Sequence, residues 1–347
     1  MLTTVLLAAL IGQSTPAKPA VAPVLLAHKY FKGEVAAYKM NALLTVEIRE
    51  TGLQTFLPMT TGYEYAYNYT VNSVDEDGNA SMRYIRPATY RIDGENGEMP
   101  ETRVKEEGEL KFDIVATPIN ELLSAKIVKP PAKPGAKPTR TLNMMQEGPG
   151  GTTITDILMG NVIGELYRMA LNVGSLDSSF EFSPKLPEEE VKPGDTWAYT
   201  LSYAPQKLAG SNKQANQRLD VTYVYEGVKT GAGNKPVHRI TASLKLDNDM
   251  VSYVNGNFGL SDKDSPFKAL KVKYDLKYRY DLDLKTCSTI YAESNSTGTI
   301  VTEFKGETEP IAERKITGTS TLTRLKYTVP SAQSSKPAPK PRAKPNQ

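Results

Sequence analysis

The chain has a single cysteine, Cys287, in 347 residues. It can therefore form no internal disulfide and no cysteine-based zinc or iron–sulfur site. It has two histidines, His28 and His238, and their spacing suggests no metal site. A Ser-His-Asp arrangement would have to draw on one of these two, yet neither lies in a nucleophile-elbow context and no G-x-S-x-G occurs. Both read as ordinary strand residues. No apolar run approaches the ~20 residues that a membrane-spanning helix needs. These shortages set the expectation of a protein that is not an enzyme, holds no metal or cofactor and is not integral to a membrane.

Excess positive charge is also scarcer than the formal net charge of +3 implies. Lys336, Lys340, Arg342 and Lys344 lie in the tail, and Lys126, Lys129, Lys133, Lys137 and Arg140 lie in or beside a central Pro-rich stretch. These nine charges exceed the net value, so the rest of the chain is acidic. An acidic body disfavours nucleic acid, which wants a basic face on the domain itself. The basic stretches read as solvated spacers, with contact to anionic lipid or wall polymer as the alternative.

What the chain does have begins with residues 1–23, MLTTVLLAALIGQSTPAKPAVAP. Val5–Ile11 is a short apolar core, and Thr15-Pro16-Ala17 offers small residues for cleavage after Ala17. This predicts a signal peptide and linker, and export to the periplasm, the outside or the cell surface. No Lys or Arg precedes the apolar run, which leaves open an upstream start, a misplaced initiating Met or a buried first strand. No cysteine follows it, so anchoring through a lipidated N-terminal cysteine is not expected.

Tyrosine is abundant, 19 residues against 8 Phe and one Trp. In 271–285, KVKYDLKYRYDLDLK, every even position is apolar or aromatic and every odd position charged. That is a strand with one wet and one dry face, and at ~3.3 Å per residue it would run about 50 Å. A strand so long must coil or bend, so a large curved antiparallel sheet follows. Tyr63, Tyr65, Tyr67, Tyr69 and Val71 form a second stripe, and Leu219, Val221, Tyr223 and Tyr225 a third. Asp75–Asn79 and Thr230–Asn234 read as hairpin turns.

Gly33-Glu34-Val35-Ala36-Ala37-Tyr38 parallels Gly194-Asp195-Thr196-Trp197-Ala198-Tyr199, and a similar succession of strands and hairpin follows each. Two related β units are expected, sharing one sheet or forming two. Between them, 155–173 reads as one apolar helix packed on the sheet. Thr155 would cap it, Gly174 would end it, and Asn161, Glu165, Arg168 and Asn172 would form its polar stripe. The fold class is thus mainly β, a β-rich α+β chain. Its expected divisions are the leader 1–23, a first β unit 24–128, a Pro/Lys/Gly-rich loop 129–151, a helical connection 152–185, a second β unit 186–330 and a basic Pro-rich tail 331–347.

Leu186-Pro187-Glu188-Glu189-Glu190-Val191-Lys192-Pro193-Gly194-Asp195-Thr196-Trp197 resembles the LP-x-x-x-V-x-x-GD-x-W segment of uncharacterised bacterial envelope proteins, many of them lipoproteins. Phe31–Glu34 and Tyr280–Thr286 resemble the opening strand and a late hairpin of the same group, in outline over 25–328. Here Cys287 replaces the group's usual Gly, and the lipobox cysteine is missing. The resemblance implies a β-rich exported domain and carries over no activity or site residue.

The remaining motifs read as structure. Asp75-x-Asp77-Gly78-Asn79 and Asp247-Asn248-Asp249 look like turns rather than calcium loops, Glu188–Glu190 like a solvated charge run, and Gly148–Thr153 lacks the lysine of a phosphate loop. The leading expectation is non-enzymatic binding of an apolar or amphipathic ligand, with lipid or a cell-envelope component as partner. The candidate lining residues are Tyr274, Tyr278 and Tyr280 with Leu158 and Val162 of the helix. A structural or adhesive surface module is the alternative, and a carboxylate-dyad hydrolase the third reading.

Overall fold

The computed structural model describes residues 22–95, 103–107, 109–128, 183–203, 217–258 and 260–330. They form one antiparallel sheet of thirteen strands. The strands are β1 (Val35–Glu50), β2 (Leu57–Val74), β3 (Ala80–Arg86), β4 (Thr89–Glu95), β5 (Arg103–Glu107), β6 (Leu110–Ala116), β7 (Leu122–Ile127), β8 (Thr196–Tyr203), β9 (Gln217–Thr230), β10 (Pro236–Asp249), β11 (Phe267–Leu282), β12 (Thr289–Phe304) and β13 (Ala312–Thr328). Their order across the sheet is β7-β6-β3-β2-β1-β13-β12-β11-β10-β9-β8, with β4 attached to β2 and β5 to β4. The sheet is not closed: β7 and β8 are its two edges. The last strand, β13, pairs with the first, so both expected β regions share one sheet.

Period-two patterning explains the two faces. On β11 the even residues Leu270, Val272, Tyr274, Leu276 and Tyr280 are buried. Their odd neighbours form cross-strand ion pairs on the outer face, Lys273–Asp247 at 3.0 Å, Lys271–Glu303 at 2.8 Å and Arg279–Glu293 at 3.2 Å. Exposed pairs of this kind contribute little stability, at most about 1 kcal/mol each. Their use is in register, because a one-residue slip would carry every charge to the inner face. They also correct one expectation. Asp247-Asn248-Asp249 is not a turn but the end of β10, held in the ladder opposite Lys273, Val272 and Lys271. Lys126 likewise belongs to β7 rather than to a solvated spacer.

β12 and β13 carry small inner residues where their neighbours carry large ones. Ser294, Ser296 and Ser320 are buried, and the Ser294 and Ser320 hydroxyls meet at 2.6 Å. Gly298 lies under the Tyr274 ring, where any side chain would collide with it. The tyrosine thus fills the space the glycine leaves, and its hydroxyl donates to Ser296 Oγ at 3.4 Å. The turns at 75–79 and 230–234 connect β2 to β3 and β9 to β10 as expected. Asp75 secures the first by accepting from the Asn79 backbone N–H at 2.8 Å and its amide at 2.9 Å.

Among the described residues there is one α-helix, α1 (Val251–Phe258), which packs against β11. Asp249 Oδ1 accepts the Val251 N–H at 3.0 Å at its start. No helix among the described residues is long and apolar enough to cross a membrane. The expected helix over 155–173, with Leu158 and Val162, lies outside the described residues.

Candidate functional site

At the end of the sheet where β1 starts and β13 finishes, four chain segments meet. Residue 28 donates its backbone N–H to Pro118 O at 2.7 Å, and residue 29 to Thr286 O at 2.8 Å. Val24 and Val191 exchange two backbone bonds of 2.9 Å, and Leu186 N–H reaches Ile119 O at 3.1 Å. The Trp197 indole of edge strand β8 donates to Lys185 O at 2.8 Å. Loops thus lace the two sheet edges together here, where no strand pairing does.

The lacing buries a polar cluster. Residues 31–34 turn tightly into β1, with the Glu34 N–H on Phe31 O at 2.9 Å. Glu34 is fully buried. Its Oε2 accepts the Phe31 N–H at 3.1 Å, and its Oε1 accepts the Tyr69 hydroxyl at 2.9 Å. His28 Nε2 stands 3.9 Å from the same Oε1. The imidazole stacks on Tyr30 with ring centres 3.8 Å apart, and its Nδ1 lies 3.3 Å from Asn120 Oδ1. Asn120 orients the group: its amide donates to Pro184 O at 2.8 Å, which leaves Oδ1 as the acceptor for Tyr30 and His28. The proton of neutral His28 therefore sits on Nδ1. Nε2, which has no hydrogen-bond partner among the described residues, turns its lone pair towards Glu34.

Burial dominates the electrostatics. It pushes the Glu34 carboxyl up to about 7, outweighing the hydrogen bonds from Tyr69 and Phe31 that favour its anion. It pushes His28 down to about 4, against the hydrogen bond to Asn120. Between about pH 4 and 7 the preferred state of the pair is therefore neutral on both sides. Arg324 lies beyond, donating to Ser288 Oγ at 2.6 Å and standing 3.8 Å from Asp283. Burial also raises the Cys287 thiol to about 11, so it is protonated near neutral pH and a poor nucleophile.

A cavity of about 60 Å³ adjoins the cluster, lined by His28, Tyr38, Tyr67, Tyr69, Tyr84 and Asn120 among others. At ~30 Å³ per water molecule it has room for about two. The arrangement can hold hydrogen-bonding groups in an aromatic enclosure. It offers no activated nucleophile. Asp281, another buried carboxylate, is saturated by Arg239 through bonds of 2.7 and 2.9 Å.

The tyrosines singled out from sequence sit elsewhere. Tyr274 and Tyr280 are buried on the inner face of β11, and Tyr278 stacks with Tyr280 at 6.0 Å, away from this cavity. Glu188, Glu189 and Glu190 are exposed, as a solvated run should be. His238 is a strand residue of β10, its Nδ1 2.8 Å from the Tyr225 hydroxyl. His28 is not a strand residue: it lies in an extended segment laid across the sheet end. Alternation could not have found it, because its partners come from chain positions about ninety residues apart. The stripe Tyr63–Val71 and the Gly33-Glu34 step were the usable signals.

No protein-family model matches the chain, and no curated protein matches it significantly. Among solved structures, 88% of the chain is similar to lipovitellin, from a structure concerned with its lipid–protein interactions, at TM-score 0.35 and 11% identity. The chain spans 26% of that protein's length. DynF from dynemicin biosynthesis in Micromonospora chersina is similar over 89% of this chain and 90% of its own, at TM-score 0.22 and 9% identity. Pseudomonas aeruginosa OccK7 is similar over 85% of this chain and all of its own, at TM-score 0.23 and 7% identity. Likeness this slight assigns neither a family nor a role.

Proposed function

We propose that this chain is an exported, non-enzymatic binding protein of the cell envelope that holds an apolar or amphipathic ligand, lipid or another envelope component, against the inner face of its sheet. One observation carries the reading: a tyrosine-rich apolar face runs across the sheet and ends at two edges, β7 and β8, that do not pair. A closed barrel would seal such a face, whereas an unpaired seam leaves a lateral route to it. The exported setting rests on the leader-like residues 1–23, and the envelope setting on the resemblance at 186–197. The matched turns at Gly33 and Gly194 support two related β units.

A second reading, a structural or adhesive module, draws on the small volume of the tyrosine-lined cavity and on the close packing of Tyr274 over Gly298. The two separate on titration of the full chain with dansyl-undecanoic acid, together with native mass spectrometry of protein taken gently from its own envelope. The binding reading expects saturable, blue-shifted emission at a 1:1 ratio and a stoichiometric adduct of lipid mass. A bare mass with no response to the probe would transfer the assignment to the structural module.

A further inference from the structure

Three arginines on this sheet are firmly matched to acids. Arg239 grips Asp281 through two nitrogens, Arg83 does the same with Asp113, and Arg49 meets Glu313 at 2.6 Å. Arg314 is different. It lies on the inner face of β13 between Ala312 and Ile316, opposite Ile48 of β1 and Ile300 of β12. It is 5% exposed, and among the described residues its Nε and Nη1 have no hydrogen-bond partner. The acids of neighbouring positions are engaged on the other face, Glu313 with Arg49 and Glu47 with Lys315.

A guanidinium does not shed its proton to escape burial, as a carboxyl or an imidazole can. An unpaired buried cation is destabilising, and a β-branched residue would suit this position far better. The same dry setting makes any anion that reaches the group a strong partner, through short charge-assisted bonds. We propose that Arg314 anchors the anionic head group of an amphipathic ligand, with Thr302, buried at the next inner position of β12, at its side. The inference rests on the binding reading above and adds two things: the head group is an anion, and it sits towards the β13 start, at the opposite end of the sheet from the His28–Glu34 cluster.

The test titrates dansyl-undecanoic acid and its neutral methyl ester into the full-length protein, Arg314→Met and Arg314→Lys. The acid should bind the parent protein about tenfold more tightly than the ester, the scale of one charge-assisted contact. Arg314→Met should erase that preference and leave ester binding unchanged, while Arg314→Lys keeps part of it. Equal binding of acid and ester by the parent, or a preference that survives in Arg314→Met, overturns the anchor and leaves the binding reading standing. Binding of neither probe to the parent overturns the reading beneath it. Thermal unfolding without probe supplies an independent check. Arg314→Met should melt no lower than the parent, since it removes an unpaired buried charge. A clear fall in Tm would make Arg314 a packing residue and sink the proposal.

Discussion

The turns that open β1 and β8 are built alike and do different chemistry. Glu34 N–H reaches Phe31 O at 2.9 Å, and Asp195 N–H reaches Lys192 O at 3.0 Å. Each side chain then accepts the N–H three residues back, at 3.1 and 2.8 Å. Each turn is tied to the next strand through the same two backbone bonds, Gly33 and Glu34 to Val71 in one, Gly194 and Asp195 to Tyr225 in the other. Yet Glu34 is fully buried beneath the segment that carries His28, and Asp195 is exposed to solvent. Backbone geometry is settled by the local turn. The acidity of its carboxylate is settled by what the chain lays over it.

The strongest way to break the comparison is to delete both carboxylates. Glu34→Ala strands the Tyr69 hydroxyl and the Phe31 N–H in a dry site and opens a cavity, which should lower stability by about 3 kcal/mol. Asp195→Ala removes one exposed cap and should lower it by about 1 kcal/mol or less. Urea unfolding of the two variants measures both. Equal losses would mean that the burial of Glu34 has no energetic consequence.

A smaller contrast lies in the two glycines. Gly33 has φ +81° and Gly194 φ +98°, a region where a side chain is strained. A Cβ on Gly33 would also stand 2.9 Å from Pro330 Cγ, whereas one on Gly194 would meet nothing within 4 Å. Gly194→Ala should therefore show the conformational penalty alone, about 1 kcal/mol, and Gly33→Ala that penalty plus the displacement of Pro330, about 2 kcal/mol. Matching losses would show that Pro330 moves aside freely.

The same contrast marks what the sequence made readable. Strict alternation placed β11 because charges and apolar groups follow its two faces without exception. The stripe of Tyr63–Val71 and the turn at Asp75–Asn79 were readable for the same local reason. β12 and β13 escaped because the middle of their inner face is Ser294, Ser296, Gly298, Gly318 and Ser320, which interrupt the hydrophobic period between Ala292 and Ile300 and between Ile316 and Leu322. The order of the sheet also escaped, since the pairing of β13 with β1 joins residues near opposite ends of the chain. His28, Asn120 and Glu34 are contributed by separate segments, and nothing in the spacing of any one of them announces the others.

The finest effect is in pH, where Glu34 and His28 conceal one another. Glu34 titrates near 4.5 in the unfolded chain and about 7 in the fold, so its contribution is complete below 4.5 and is lost as pH rises through 7. His28 titrates near 6.5 unfolded and about 4 folded, so its contribution is complete above 6.5 and is lost as pH falls through 4. Between about 4.5 and 6.5 the unfolded pair holds one proton on the imidazole, and the folded pair holds one on the carboxyl. Folding moves that proton and takes up none, so the pair contributes a flat stability profile over this range. Single variants should uncover the two slopes. His28→Gln keeps an amide for Asn120, and its stability should fall steadily from pH 4.5 to 7. Glu34→Gln keeps an acceptor for Tyr69 and Phe31, and its stability should rise from pH 4 to 6.5. Denaturation midpoints at half-unit pH steps distinguish these two profiles from the parent's, and a flat profile in both variants would show that the proton transfer between imidazole and carboxyl does not accompany folding.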